Sequence, residues 1–152
     1  MIRSWRSLLL TGWLTLAVSF FATSCDDGAS RGGRAEASRP AQGSKLAQVS
    51  DYDHFRSIVQ ASKGRLVLFE FYADWCGPCR LLEPILEDLA REFDERISVY
   101  KVDIDAHRDL ARDVGVRGVP YVLLVRDGKS VHSLMGLHPK NEYRGAVEEF
   151  SP

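Results

Sequence analysis

Two cysteines separated by two residues are the clearest candidates for chemistry in this sequence. Cys76 and Cys79 flank Gly77 and Pro78, shortly after an apolar run over 66–72 and at the start of a helical pattern. A helix N-terminus carries unpaired N–H groups and a partial positive charge, which favour the thiolate form of a cysteine. Residues three apart share a helix face, so Cys79 can close a disulfide onto Cys76. The pattern predicts thiol–disulfide chemistry, with an exposed Cys76 as nucleophile and Cys79 as resolving thiol.

The same spacing also occurs in one half of a zinc site, which is the alternative for this pair. Structural zinc usually takes four Cys or His ligands. The third cysteine, Cys25, stands alone, so the sequence offers neither a second pair nor a framework of structural disulfides. We therefore expect no metal and no other cofactor. The histidines are scattered without ligand spacing, at His54, His107, His132 and His138.

The cysteine motif needs elements that position it, and the pattern supplies helices and strands in alternation. Apolar residues on both faces of 66–72 indicate a central strand covered by helices. Asp-Gly at 127–128, between two apolar runs, predicts a hairpin. The other expected elements are helices over 51–61, 107–114 and from 139, and strands over 46–49, 97–104, 121–125 and 130–134. In the helix after Cys79, the positions expected to face the core are Leu81, Leu82, Ile85, Leu86, Leu89, Ala90 and Phe93.

The residues at 75–79, Trp-Cys-Gly-Pro-Cys, resemble the active site of the thioredoxin family, and other motifs agree in order and spacing. Gly-Val-Arg-Gly-Val-Pro at 115–120 resembles the family's Gly-Ile-Arg-Gly-Ile-Pro segment, which ends in a cis-proline. The resemblance covers about 46–150. It implies an α/β fold, the thioredoxin fold, in which helices flank both faces of a central mixed β-sheet. Further matches are Phe-Glu-Phe-Tyr-Ala-Asp at 69–74, Pro84, Val-Asp-Ile-Asp at 102–105, Asp-Gly at 127–128 and Gly136.

Glu70 stands in the middle of the apolar strand, six residues before Cys76. A buried carboxylate is costly unless it has a partner or keeps its proton. The family usually has an aspartate here as proton acceptor for the inner cysteine, so the resemblance implies that catalytic role for Glu70 and makes Lys101 its charge partner. The alternatives are a Glu70 that reaches solvent and a Lys101 that is merely a solvated strand residue.

The resemblance also assigns a framework around the cysteines. Pro120 is expected to be cis, to face the cysteines, and to end a loop that offers a backbone edge to a substrate strand. Trp75 is expected to pack beside the site, with a partly exposed core aromatic as the alternative. Tyr121 stands beside the expected substrate groove, where the family usually has threonine, so this change bears on substrate specificity. We expect Asp105 and His107 to be solvated.

Residues 1–24 resemble an export signal of the lipoprotein type. Two arginines precede an apolar run over 8–21, which is short for a membrane span of about 20 residues but suits a signal peptide. The small residues before Cys25 resemble a bacterial lipobox, with Ala22 where that pattern prefers Leu, Val or Ile. Cleavage would leave Cys25 as an acylated first residue. An uncleaved signal anchor and cleavage with release are the alternatives.

We interpret 25–44 as the acylated cysteine and a flexible linker, and 45–152 as a thioredoxin-like domain. The linker is rich in Gly, Ser, Ala and Arg and has no large apolar residue with which to build a core. Its reach would be roughly 25 Å. Asp26 and Asp27 resemble an inner-membrane retention signal of Gram-negative lipoproteins, with a solvated linker start as the alternative.

Charge excludes one class of partner. Of the 20 basic and 21 acidic residues, six basic and three acidic ones precede residue 46, which leaves 14 and 18 in the domain. A mildly acidic domain lacks the basic face that nucleic-acid binding needs. We expect a monomer that does not bind nucleic acid.

These features predict a lipid-anchored thiol–disulfide oxidoreductase outside the cytoplasm, on the periplasmic face of the inner membrane if the host is Gram-negative. Gly77-Pro78 resembles the reducing members of the family and implies a disulfide reductase. In an oxidising compartment it would need a membrane electron donor. Protein disulfides, those of apocytochromes among them, are the expected substrates. The alternatives are a disulfide oxidase or isomerase and, in another class, a binding or chaperone module without redox turnover.

Overall fold

The computed structural model describes residues 44–152. The predicted signal peptide, Cys25, the aspartates that follow it and the linker up to residue 43 lie outside the described residues. Within 44–152, no helix has both the length and the apolar character that crossing a membrane requires. The elements, in chain order, are β1 (Leu46–Gln48), α1 (Tyr52–Ala61), β2 (Leu66–Tyr72), α2 (Gly77–Glu92), β3 (Ile97–Asp103), α3 (Arg108–Val114), β4 (Tyr121–Arg126), β5 (Lys129–Met135) and α4 (Lys140–Phe150).

Five strands form one mixed sheet in the order β1-β3-β2-β4-β5. The central strand β2 pairs in parallel with β3 and antiparallel with β4. One face of the sheet packs against α2 and α4, and the other packs against α1 and α3. The expected thioredoxin fold, a mixed sheet with helices on both faces, is confirmed.

The alternation of side chains between the two faces of β2 determines which of them face α2, the helix that begins with the cysteine motif. Leu66 and Leu68 belong to the core beneath α2 and α4, whereas Phe69 and Phe71 belong to the core on the opposite face. Because successive strand residues point to opposite faces, Glu70 points toward α2. The strand thus places a carboxylate under the helix that begins with the cysteine motif.

Four residues, 73–76, connect the end of β2 to the start of α2. Cys76 is its N-cap, with an extended backbone conformation, and Pro78 lies in the first turn, where a missing N–H is tolerated. The helix continues through Pro84. It buries Leu82 and further apolar residues on the same face. The prediction that Leu81 faces the core is wrong: its side chain is 63% exposed. The buried stripe is set by Leu82, Leu86 and Leu89, and Leu81 lies just outside it.

Residues with positive φ values form two turns near the sheet. Gly115 ends α3 in the left-handed conformation, with φ 84°. Asp127 and Gly128 both have positive φ values, 52° and 76°, which is the two-residue hairpin turn that the Asp-Gly pair predicts between β4 and β5.

Candidate active site

Cys76 and Cys79 form a disulfide at the N-terminal end of α2, with their Cα atoms 5.4 Å apart. Both residues are buried, with exposures of 3% and 4%. The expectation of an exposed Cys76 is therefore wrong for this oxidised form. The reason is local packing, since Ala73 joins the pair in a buried cluster against which Ile104 and Val119 also pack.

The start of α2 directs a hydrogen-bond donor at the first sulfur. The backbone N–H of Cys79 donates to Sγ of Cys76, with an N–S distance of 3.2 Å. In the reduced protein this N–H and the positive end of the helix favour a thiolate at Cys76. The geometry agrees with Cys76 as the nucleophile and Cys79 as the resolving thiol, roles that stay predictions.

The peptide bond between Val119 and Pro120 is cis, as the resemblance implies. Pro120 is buried, and its carbonyl accepts a hydrogen bond from the N–H of Gly136, at 2.8 Å. Val119 packs against the cluster that contains Cys76 and Cys79. The segment that ends in the cis-proline therefore borders the disulfide.

Trp75 is largely exposed, at 67%, immediately before the first cysteine. Its indole Nε1 donates a hydrogen bond to Oδ2 of Asp105, at 2.8 Å. Asp105 is exposed, as expected, and its carboxylate also binds the indole of Trp75. Sequence reasoning missed this hydrogen bond, although Asp105 is the last residue of the motif at 102–105 that the family resemblance had identified. Trp75 lies beside the site, as expected, but it is not part of the core.

Glu70 has no exposed surface, so the alternative of a solvent-reaching glutamate is excluded. Neither carboxylate oxygen has a hydrogen-bond partner among the described residues. Burial raises the pKa of Glu70 to about 7; the charge of Lys101 acts to lower this pKa and the charge of Glu83 acts to raise it. At neutral pH the carboxyl group can therefore both accept and release a proton.

Lys101 makes no salt bridge with Glu70 among the described residues, but its charge acts on that carboxyl group and lowers its pKa. The two residues are partners in the β2–β3 register, but the ammonium lies 3.1 Å from Oε2 of Glu83 and 4.4 Å from the centre of the Tyr72 ring. The long lysine side chain reaches the partly exposed Glu83 on α2, where desolvation of the pair costs less than beside a buried carboxylate. Lys101 thus influences Glu70 through space.

Glu83 is the residue near the site that sequence reasoning missed. It lies four residues after Cys79, and this spacing on a helix places both side chains on one face. A signal was therefore present in the sequence. Both residues line a cleft of about 120 Å³ that also reaches Glu70. The remaining residues around this cleft are Tyr72, Ala73, Asp74, Arg80 and Lys101.

The cleft brings together the groups that a proton transfer needs. Glu70 supplies a carboxyl group with a pKa near neutrality, and Cys79 supplies the thiol. Between residues 44 and 152, no group of three or more His, Cys, Asp or Glu side chains is arranged to hold a metal ion. What the described arrangement can do is break and form disulfides.

Comparison with known proteins supports this assignment. The family model named Thioredoxin matches residues 46–149. Thioredoxin M3, chloroplastic, from Oryza sativa subsp. japonica is 42% identical over 83 residues, which are 55% of this chain and 47% of that protein. Thioredoxin from Bacillus subtilis is 34% identical over 90 residues, which are 59% of this chain and 86% of that protein. The match spans only about half of the chloroplastic relatives' length, 47% and 59% for two from rice.

A solved structure agrees with these relatives. A mutant thioredoxin from Halobacterium salinarum has a TM-score of 0.65 and 34% sequence identity to this chain. That alignment covers 73% of this chain and 96% of the other. With the cysteine pair at the start of α2, the cis-proline beside it and the family match over 46–149, this chain belongs to the thioredoxin family.

Proposed function

We propose that this protein is a thiol–disulfide oxidoreductase that reduces disulfides in other proteins. The observation that carries the proposal is the Cys76–Cys79 disulfide at the N-terminus of α2, where the N–H of Cys79 contacts the first sulfur. Membership of the thioredoxin family supports the same chemistry.

The first step uses the Cys76 thiolate. It attacks one sulfur of a substrate disulfide, the substrate S–S bond breaks, and a mixed disulfide forms between the two proteins. The second substrate sulfur leaves as a thiolate and takes a proton from water. The helix N-terminus supports this step because it stabilises the attacking thiolate at neutral pH.

The second step uses Cys79 and Glu70, which line one cleft. The Glu70 carboxylate accepts the proton of the Cys79 thiol, and the new thiolate attacks the sulfur of Cys76. The mixed disulfide breaks, the substrate leaves with its second thiolate, and the Cys76–Cys79 disulfide forms. Two electrons have then passed from the dithiol to the substrate, and the proton on Glu70 can leave through the cleft.

The proposed direction rests on Gly77 and Pro78, which resemble the pair between the cysteines of the family's reducing members. The competing functions are a disulfide oxidase or isomerase that uses the same cysteines, and a thioredoxin-fold binding or chaperone module that needs no redox turnover. An oxidase would hold the pair at a more oxidising potential, whereas a binding module would act without the thiols.

Substitution of the cysteines tests the redox function. Cys76→Ser is expected to abolish reduction of a protein disulfide such as that of insulin. Cys79→Ser is expected to trap the mixed disulfide, which appears as a covalent adduct on a non-reducing gel. The control Ser57→Ala, at an exposed position of α1, leaves the motif intact. Biological activity that survives Cys76→Ser would favour the binding module.

We further propose that the protein is anchored to the outside of the cytoplasmic membrane by lipid on Cys25, after removal of residues 1–24. The support is the sequence of the N-terminal segment alone. Asp26 and Asp27 favour retention at the inner membrane of a Gram-negative host. The proposed partners are protein disulfides, those of apocytochromes included, and a membrane electron donor that regenerates the dithiol in an oxidising compartment.

Labelling with a fatty acid tests the anchor. In a Gram-negative host, the chain should incorporate labelled palmitate and sediment with inner membranes, while Cys25→Ser should lose the label. Incorporation that persists in Cys25→Ser would refute acylation at this residue. An unlabelled, soluble wild-type chain would refute the anchor itself.

A further inference from the structure

A groove of about 590 Å³ runs beside Trp75, between the loop after β3, helix α3 and the segment that precedes Pro120. Ile104 and Val119 line this groove and also pack against the disulfide cluster. A chain segment bound in the groove would therefore lie next to the cysteine pair.

The charges on the groove are opposite to those of the domain. Its charged lining consists of Arg108, Arg112 and Arg117 against a single carboxylate, that of Asp105. From residue 46 onward, by contrast, acidic residues outnumber basic ones by 18 to 14. All three arginines are exposed. The groove is thus a basic strip on an acidic domain, and such a local field attracts ligands of opposite charge.

The arginines are weakly engaged within the described residues. Arg108 lies at 4.0 Å from Asp105, whose carboxylate already accepts the hydrogen bond from Trp75. Arg112 pairs with Asp109 on the same helix, but both side chains are more than 70% exposed, and pairs of this kind contribute little to stability. Arg117 has no ion pair within residues 44–152. All three guanidinium groups can therefore turn to an incoming carboxylate at low cost.

We propose that this groove selects protein substrates that carry Asp or Glu side chains within a few residues of the disulfide to be reduced. The inference rests on the proposed reductase function and names its substrate class. A guanidinium group binds a carboxylate through two parallel hydrogen bonds, which a lysine could not do equally well. The apolar wall, Ile104, Ala111 and Val116, accommodates the aliphatic stems of the bound side chains.

Complementary charge acts mainly on encounter and on discrimination between partners. The expected effect is therefore a faster attack by the Cys76 thiolate on acidic substrates, and it should weaken when salt screens the arginines. Electrostatic selection of this kind leaves the chemistry of the thiols unchanged.

Matched disulfide peptides test the proposal. The full-length chain is reduced, freed of reductant and mixed with peptides that share one disulfide and differ only in three flanking residues, which are Glu, Lys or Ser. Stopped-flow Trp fluorescence gives the second-order rate constant. At low salt the Glu peptide should react about tenfold faster than the Lys peptide, and this ratio should fall toward one in about 1 M NaCl.

Two triple variants distinguish the effect of the groove arginines from the effect of the protein's net charge. Arg108→Gln, Arg112→Gln and Arg117→Gln together should bring the Glu-to-Lys rate ratio close to one. The control replaces three exposed basic residues outside the groove, Arg56→Gln, Lys63→Gln and Lys129→Gln, and removes the same charge. The control should keep the wild-type ratio. If both triple variants lose the ratio equally, net charge alone is responsible and the groove proposal is overturned.

A small uncharged disulfide, bis(2-hydroxyethyl) disulfide, distinguishes failure of this inference from failure of the proposed function. If the wild-type chain reduces it but treats the Glu and Lys peptides alike, the groove proposal is wrong and the reductase function stands. If the chain reduces neither the small disulfide nor any peptide, the reductase function fails and the substrate class fails with it.

Discussion

Glu70 shows how a single buried side chain connects stability with chemistry. Its carboxyl group has no exposed surface and no hydrogen-bond partner within residues 44–152, and burial raises its pKa to about 7. A group in this state costs stability whenever it is ionised. The same pKa allows it to exchange a proton with Cys79 near neutral pH. Burial of Glu70 thus lowers the stability of the fold and, at the same time, provides an acid–base group near neutral pH.

The raised pKa of Glu70 predicts a pH-dependent stability. The folded state holds this proton up to about pH 7, whereas the unfolded chain releases it near 4.5. The folded state therefore binds more protons between these values, and its stability falls by about 3 kcal/mol as the pH rises from 4.5 to 7. Urea denaturation of the wild type and of Glu70→Leu measures this effect. As the pH rises from 4.5 to 8, the free energy of unfolding of the variant should increase by about 3 kcal/mol relative to that of the wild type. An equal pH dependence in both proteins would contradict it.

Glu83 provides a second prediction at this scale. Its charge raises the pKa of Glu70 directly, and its salt bridge holds Lys101, whose charge lowers that pKa. Glu83→Gln removes the first effect and releases the lysine, so the pKa of Glu70 should fall. Carbon NMR of the Glu70 carboxyl group measures the shift.

Two further groups near Glu70 are unchanged in this variant. They are Cys79 on α2 and Tyr143 on α4, whose own pKa is raised mainly by burial and in part by Glu70. Glu95→Gln removes an exposed carboxylate just before β3 and serves as control. An unchanged or higher Glu70 pKa in Glu83→Gln would show that Glu83 does not exert this influence.

At the scale of elements, α2 both forms the core and presents the thiols. Its buried stripe anchors the helix on the sheet, while its first turn leaves the cysteine pair at the edge of the core. The neighbouring residues Leu81 and Leu82 separate these two surfaces, since the first is 63% exposed and the second is fully buried.

This difference predicts opposite outcomes for two equal truncations. Leu82→Ala should lower the free energy of unfolding by about 3 kcal/mol, because it leaves a cavity under α2. Leu81→Ala should change it by no more than about 0.5 kcal/mol. Chemical denaturation of both variants in the oxidised state makes the comparison. Similar losses in the two variants would mean that Leu81 belongs to the core after all.

Sequence patterns predicted these elements well where local physics decides the outcome. The apolar run of β2, interrupted by Glu70, is typical of a central strand, and Asp127-Gly128 has the conformational freedom that a two-residue turn requires. The placement of Leu81 failed because it lies at the margin of a helical stripe. Whether a residue at such a margin is buried depends on tertiary packing, which cannot be inferred from the periodicity of the sequence.

The site was predicted less completely than the fold. The cysteine pair and the cis-proline follow from motifs with fixed spacing. The burial of Cys76 depends on how the surrounding loops pack in three dimensions. The salt bridge between Lys101 and Glu83 depends on the conformation of a long side chain. The family resemblance placed Lys101 near Glu70, and the two are partners in the β2–β3 register, but this does not determine where a flexible ammonium group lies.

At the scale of the whole molecule, the sheet carries two cores, and the cysteine pair lies in a third, smaller cluster. The two large cores hold the scaffold, and Ile104 packs against both the cysteine cluster and the core on the side of α1 and α3. The cleft that reaches Glu70 serves proton transfer, and the basic groove beside Trp75 serves substrate selection in our proposal.

The reduction potential of the Cys76–Cys79 pair tests the central claim most directly. The full-length chain is equilibrated in graded dithiol buffers, alkylated and digested, and the mass of the peptide that carries both cysteines reports the reduced fraction. A strongly reducing value, close to that of thioredoxins, is expected for a disulfide reductase. A value near that of disulfide-forming oxidants would contradict the account, since the same pair would then donate its disulfide to substrates.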